Sequence, residues 1–277
     1  MADTYRQYQE ARDTAWRALL HVRDKRLPID AEGLARDVGL HVAPLPDVRE
    51  QPRLAALIQK AGKGNGVSLR IRGEWHLFLA PMTEDRRRFF VAHELGHLLL
   101  AHETRVLSPG VRCFADAGNA GDLMEEPESP LDYAADIFAI RLLAPACLLH
   151  EMHVDTASGI MRLCGLPPRA AALRAERMAL LNERDAFFTH PLERQVREAY
   201  LPFLRERGAA PAPAQAAERA LPLVMPLPQT ENEESEKEER GKGAENTEKK
   251  PAKPIRLWLF AAAGFALAAL AFFILRR

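Results

Sequence analysis

The chain has 277 residues, and 38 Lys and Arg balance 38 Asp and Glu, so no net field steers it toward nucleic acid. At 47% hydrophobic and 27% charged it has ample material for a folded core, in one large domain or two ordinary ones. Three cysteines, Cys113, Cys147 and Cys164, cannot all pair and lack CxxC spacing, which points to a reducing compartment.

The opening MADTYRQYQE has no apolar h-region, so no signal peptide is expected. ADTYRQYQEARDTAWRALLHVR follows without internal Gly or Pro and, with Asp3 as N-cap, predicts a helix. LPIDAEGLARDVGL predicts a shorter one, capped by Asp30 and stopped at Gly39. RLAALIQK, VSLRI and HLFLAP are short apolar runs divided by AGKGNG and RGEW, which predicts a small antiparallel meander. Helices are then expected over about 84–102, 131–144, 155–164 and 168–182, with a last one over PLERQVREAYLPFLRER. The fold class expected is α+β, mostly helical, for a domain spanning 1–205.

Residues 206–254 change character. GAAPAPAQAAERALPLVMPLPQ reads as a semi-rigid spacer. TENEESEKEERGKGAENTEKKPAK has eight acids, six bases and no large apolar residue, so a disordered linker is expected. Within 255–277, LWLFAAAGFALAALAFFIL carries no charge, and its nineteen residues at about 1.5 Å each match a bilayer's hydrocarbon core. A single C-terminal transmembrane helix over 257–275 is therefore expected. Lys249, Lys250, Lys253 and Arg256 before the span outnumber Arg276 and Arg277 after it, which keeps the N-terminal domain on the cytoplasmic side of the cell membrane.

The chemistry concentrates in VAHELGHLLLAHE. His93 and His97 are four apart and share a helical face, as two neutral imidazole ligands of Zn²⁺ require. Glu94 lies about 100° further round, placed to take a proton from water at the metal's open position rather than to bind the ion. Gly96 is a poor helix former, and its use there suggests that another element packs very close to the metal. His102 is excluded as third ligand, since nine residues along a continuing helix put it on the opposite face; a solvent-facing or helix-end residue is expected. Metzincin spacing would need Gly at 100 and His at 103, where Leu100 and Glu103 stand.

SPLDYAADIFAIRLLAP offers better candidates. Asp132 and Asp136 are four apart on a face otherwise lined by Ala135 and Ala139. One can bind the metal while the other accepts the free N–H of a ligand histidine and fixes its tautomer. Glu125, Glu126 and Glu128 are rival ligands in a loop-like stretch without apolar support.

RRFFVAHELGHLLL and DYAADIFAIRLLAP together resemble the ImmA/IrrE metallo-endopeptidases, with LPIDAEGLARDVGL and IMRLCGLPPRAAALR similar to weaker segments of that family. The likeness runs in order over roughly residues 10–185. It implies His93, His97 and Asp132 as metal ligands and Glu94 as general base. Asp132 falls where the family usually has glutamate, one methylene longer, so either the helix sits closer or the metal is held less tightly. The family also implies cleavage of a cytoplasmic regulator, often a helix-turn-helix repressor, in a stress or mobile-element response. Zn²⁺ is the metal the histidine spacing suggests, and the sequence leaves Mn²⁺ or Fe²⁺ open. An anchored enzyme suggests a substrate at the membrane, of the repressor or anti-sigma type. Tyr133, His150 and His153 are candidate oxyanion donors, and HLFLA is a strand that an extended substrate could pair with.

Two other readings compete. IMRLCGLPPRAAALRAERMALL, with Arg162, Arg169, Arg174 and Arg177, could be a DNA-binding helix pair, although few bases and no interleaved aromatics argue against nucleic acid. A zinc-binding sensor that does not cut is the other, and an intact Glu94 argues against it.

Overall fold

The computed structural model describes residues 2–61, 66–114 and 129–208. In chain order these form α1 (Ala2–His21), α2 (Ala31–Asp37), β1 (Leu40–Pro44), α3 (Pro52–Ala61), β2 (Gly66–Ile71), β3 (Glu74–Leu79), α4 (Glu84–Leu99), β4 (Thr104–Ser108) and β5 (Val111–Phe114). After them come α5 (Pro130–Leu143), α6 (Ala146–Glu151), α7 (Ala157–Cys164), α8 (Pro168–Glu183), α9 (Pro191–Ala199) and α10 (Leu201–Glu206). The mixture of many helices with one sheet agrees with the α+β class.

Asp30 and Gly39 act as expected, and other capping residues fix further helix ends. Asp30 caps α2 by accepting a 2.7 Å hydrogen bond from the Gly33 amide, and Gly39 leaves that helix at φ 83°. Ser129 caps α5 through the Asp132 amide, with Pro130 at the first turn, where its missing N–H costs nothing. Gly165 ends α7 in the left-handed region.

The expected meander needs correction. RLAALIQK is not a strand but most of α3. Leu54, Leu57, Ile58 and Ala61 recur at i, i+3, i+4 and i+7, a helical period, and they pack on a small core with Val67, Leu69, Leu107 and Cys113. The sheet has five strands in the order β1-β3-β2-β5-β4. β1 pairs with β3 in parallel, and the remaining pairs are antiparallel. β3 thus lies between β1 and β2, with both edges used by the sheet, so HLFLA cannot pair with a substrate. The last expected helix is also broken in two. Pro202 has no N–H and its ring crowds the carbonyl four residues back, so the chain kinks at the buried Tyr200 between α9 and α10.

The main core lies where α4, α5 and α1 meet. Phe89, Phe90, Val91, Leu95, Phe138, Leu142 and Leu19 are all buried there. Among the described residues, Pro130–Glu151 is long and apolar enough to cross a membrane, but 72% of that window is buried inside the domain, so it is core. Residues 209–277, which hold most of the expected linker and all of the expected anchor, lie outside the described residues, as do Glu125, Glu126 and Glu128.

Candidate metal centre

α4 and α5 bring three ligand-type atoms to one point. His93 Nε2 lies 3.0 Å from His97 Nε2, and Asp132 Oδ1 is 3.3 Å from His97 Nε2 and 4.0 Å from His93 Nε2. All three residues are buried. Ligand atoms about 2.0–2.1 Å from one tetrahedral ion sit roughly 3.3 Å apart, close to the two separations at His97, while the 4.0 Å between His93 and Asp132 is wider.

The rest of each side chain is already committed. His93 Nδ1 is 2.8 Å from Asp136 Oδ1, so the Nδ1–H donates to that carboxylate and the Nε2 lone pair faces the cluster. Asp132 Oδ2 accepts from the Ser129 hydroxyl, while Oδ1 is buried with no hydrogen-bond partner. Its 3.3 Å approach to His97 lacks hydrogen-bond direction. A buried orphan carboxylate oxygen facing two imidazole nitrogens is the donor set a divalent ion with nitrogen and oxygen ligands would satisfy. Of the two aspartates left open by spacing, the geometry turns Asp132 to the cluster and Asp136 to the back of His93.

Electrostatics agree with that division. Burial pushes the His93 ring down, but the hydrogen bond and charge of Asp136, with Glu94 and Asp132, outweigh it and leave its pKa raised. Burial pushes Asp132 up, yet the facing His97 and His93 hold its carboxyl below the usual range. Glu94 is buried beside His93 on α4.

His102 is a finding that spacing did not supply. α4 ends at Leu99, and Ala101 takes φ 54°, turning the chain back on itself. His102 is accordingly a helix-end residue outside the ligand set, but it is not merely solvent-facing: its Nδ1 lies 2.9 Å from His97 Nδ1. With His97 Nε2 turned to the cluster, His97 Nδ1–H donates and His102 accepts, which requires a neutral His102. Burial, then the charges of His97 and His93, push its pKa down to about 4, so it is neutral. Asp136 and His102 thus hold the two imidazoles from behind. Phe114 stacks on His97 at 5.0 Å and on Trp75 at 4.4 Å, closing one side with aromatic surface.

Gly96 explains how α5 comes near enough. A Cβ there would stand 3.2 Å from both Cα and O of Ala135 and 3.0 Å from a Phe138 ring carbon. The helices therefore meet backbone to backbone one turn from the cluster, an approach that suits aspartate's shorter reach.

The other expected site residues fare differently. Tyr133 is 43% exposed in the first turn of α5, next to Asp132. His150 is stacked on Phe187 at 3.9 Å, and His153 turns at φ 55° after α6; no described contact joins either to the cluster. The DNA-reading arginines also need correction. Arg174 is buried and donates to the Ala144 carbonyl, and Arg177 lies over the Tyr8 ring, so two of the four arginines are turned into the domain while Arg162 stays exposed.

A mixed helix and sheet domain with a buried cluster of two histidines and one aspartate on facing helices defines a candidate metal-dependent hydrolase. Residues 56–176, somewhat under half of the chain, match the Peptidase M78 family profile, the IrrE N-terminal-like domain. That segment runs from α3 into α8 and contains the whole cluster. The match supports the ImmA/IrrE family for this domain and, with it, a metallopeptidase acting on protein. No curated protein matches the chain.

Proposed function

We propose that this chain is a membrane-tethered zinc endopeptidase that hydrolyses a peptide bond in a regulatory protein. The observation that carries the reading is the convergence of His93 Nε2, His97 Nε2 and the unpartnered Asp132 Oδ1. His93, His97 and Asp132 would hold the ion, leaving a fourth position open as catalytic zinc sites do. A bound Zn²⁺ supplies Lewis acidity toward water and toward the substrate carbonyl. Glu94 takes the proton from the attacking water and delivers it to the leaving amine. Asp136 and His102 fix the ligand tautomers, and the aromatic wall of buried Phe114 and half-buried Trp75 keeps the dielectric low around the developing charge.

An extended substrate needs a free strand edge, and β4 is an edge strand among the described residues, beginning two residues after His102. Tyr133, exposed beside Asp132, is the oxyanion donor this arrangement favours. The apolar run 257–275 tethers the domain on the cytoplasmic side of the cell membrane, and the charged linker lets it sample substrates there, of the repressor or anti-sigma type.

The test is substrate trapping by full-length Glu94→Gln in its native membrane, followed by incubation of each captured protein with zinc-loaded wild type. A captured regulator cut at one bond by wild type and left whole by the variant is expected. Equal biological output from wild type and Glu94→Gln, both zinc-loaded, would instead mean a binding module that does not cut.

A further inference from the structure

At the far end of α5 from Asp132, helices α1, α5, α8 and α9 gather a second set of charges that does not balance. Arg141 on α5 is 9% exposed and Arg174 on α8 only 2%. Arg174 Nε donates to the Ala144 carbonyl at 2.7 Å, and an Arg141 terminal nitrogen donates to the Tyr8 hydroxyl. The same Tyr8 ring carries two guanidinium groups, with Arg141 Cζ 4.5 Å and Arg177 Cζ 5.6 Å from its centroid. Arg177 Nε is buried and has no hydrogen-bond partner among the described residues.

The negative side is thin. Glu193 on α9 is buried among these groups, and Arg12 is already paired with Asp13 at 2.8 Å. Among the described residues no carboxylate reaches ion-pair distance of Arg141, Arg174 or Arg177. Burial, then the like charges around them, pushes Arg141 down to about 10 and Arg174 to about 9. Buried cations held side by side are costly unless a counter-charge joins them.

We propose that Arg141, Arg174, Arg177 and the Tyr8 hydroxyl form a binding site for a phosphate group. Three guanidinium forks against one carboxylate leave an excess of two positive charges, and a phosphate near neutral pH carries roughly −1.5 to −2 with several strong acceptor oxygens. Arginine's planar forks pair with phosphate oxygens, and one phosphate offers more acceptor oxygens and more charge to three forks than a carboxylate or chloride does. Tyr8 and Arg177, both only partly buried, give the ligand a path from the surface to Arg174. The ligand would clamp α1 to α5 and α8. This reading is independent of the peptidase chemistry.

The test titrates full-length, zinc-loaded protein with inorganic phosphate at constant ionic strength, read by calorimetry and by Tm. One saturable site is expected, with Tm up by about 4 °C at tenfold excess over Kd. AMP in a parallel arm separates the sources: tighter binding than phosphate assigns the site to a nucleotide's phosphoryl group, and weaker binding assigns it to the free ion. Arg177→Gln, at the partly exposed rim, should weaken binding at least tenfold. Tyr8→Phe should weaken it severalfold, and Arg112→Gln on β5 should leave it unchanged. Absence of saturable binding by either ligand, or equal binding by wild type and Arg177→Gln, would overturn the proposal.

Discussion

Replacing Gly96 by alanine separates metal affinity from fold stability. The added methyl would meet Ala135 Cα and O at 3.2 Å and Phe138 at 3.0 Å, whereas comfortable carbon contacts fall at about 3.5–4.0 Å. α5 must therefore retreat by roughly 0.5 Å, at an overpacking cost of about 1–3 kcal/mol. Alanine's better helix propensity returns about 1 kcal/mol, so net stability should fall by only about 0–2 kcal/mol. Ala135 is three residues from Asp132 on the same helix, and the retreat draws Oδ1 away from His97 Nε2, now 3.3 Å distant. Zinc affinity should then drop about 10–100-fold, the range seen when groups supporting metal ligands are disturbed. Competition with a chromophoric chelator measures the affinity, and thermal denaturation of the metal-free protein measures the fold. Zinc affinity within twofold of wild type would show that the close helix approach does not set the cluster.

Other expectations follow from the same geometry. Glu94→Gln should keep zinc while peptide turnover falls about 10²–10⁴-fold, the range of general acid–base catalysis, checked by metal content beside a cleavage assay. Asp136→Asn leaves His93 without its carboxylate acceptor and should weaken zinc about 10–100-fold; chelator competition reads it. His102→Ala frees His97 Nδ1 and should loosen zinc in the same direction, by the same measurement. Ending the chain after residue 225 should leave hydrolysis of a soluble peptide unchanged but slow cleavage of a membrane-located substrate in cells; equal rates in cells would make the tether dispensable.

The parts of the fold legible in the sequence were those in which local chemistry and tertiary packing agree. Asp30 and Gly39 bracket α2, and the apolar stretch around HELGH predicts a buried α4. α3 reads as a strand because it is a short apolar run followed by a Gly-bearing turn, although Leu54, Leu57, Ile58 and Ala61 carry a helical period. Pro202 breaks the last helix by a local rule that was open to view. β1, by contrast, is parallel to β3, and no local signal announces a partner 35 residues away.

The site divides along the same line. His93, Glu94 and His97 lie within five residues, so helical geometry alone groups them. Spacing put Asp132 and Asp136 on one face but could not say which faced the metal, because that depends on how α5 is rotated against α4. The angle that puts His102 on the opposite face holds only for a continuing α4. The turn at Ala101 invalidates the angle, and no residue type there marks the reversal. Arg141 lay inside the family-like helix, but only the packing of α1, α8 and α9 around it shows how little negative charge it meets.

The central claim is that His93, His97 and Asp132 together hold one catalytic divalent ion. X-ray absorption at the zinc edge, with metal counts on wild type and Asp132→Ala, tests it most directly. One zinc per chain in wild type is predicted, in a shell of two imidazole nitrogens and carboxylate or water oxygen at about 2.0–2.2 Å, with zinc largely lost from Asp132→Ala. A wild-type protein that retains no zinc, or an Asp132→Ala variant that holds it as tightly with the same shell, would contradict the account.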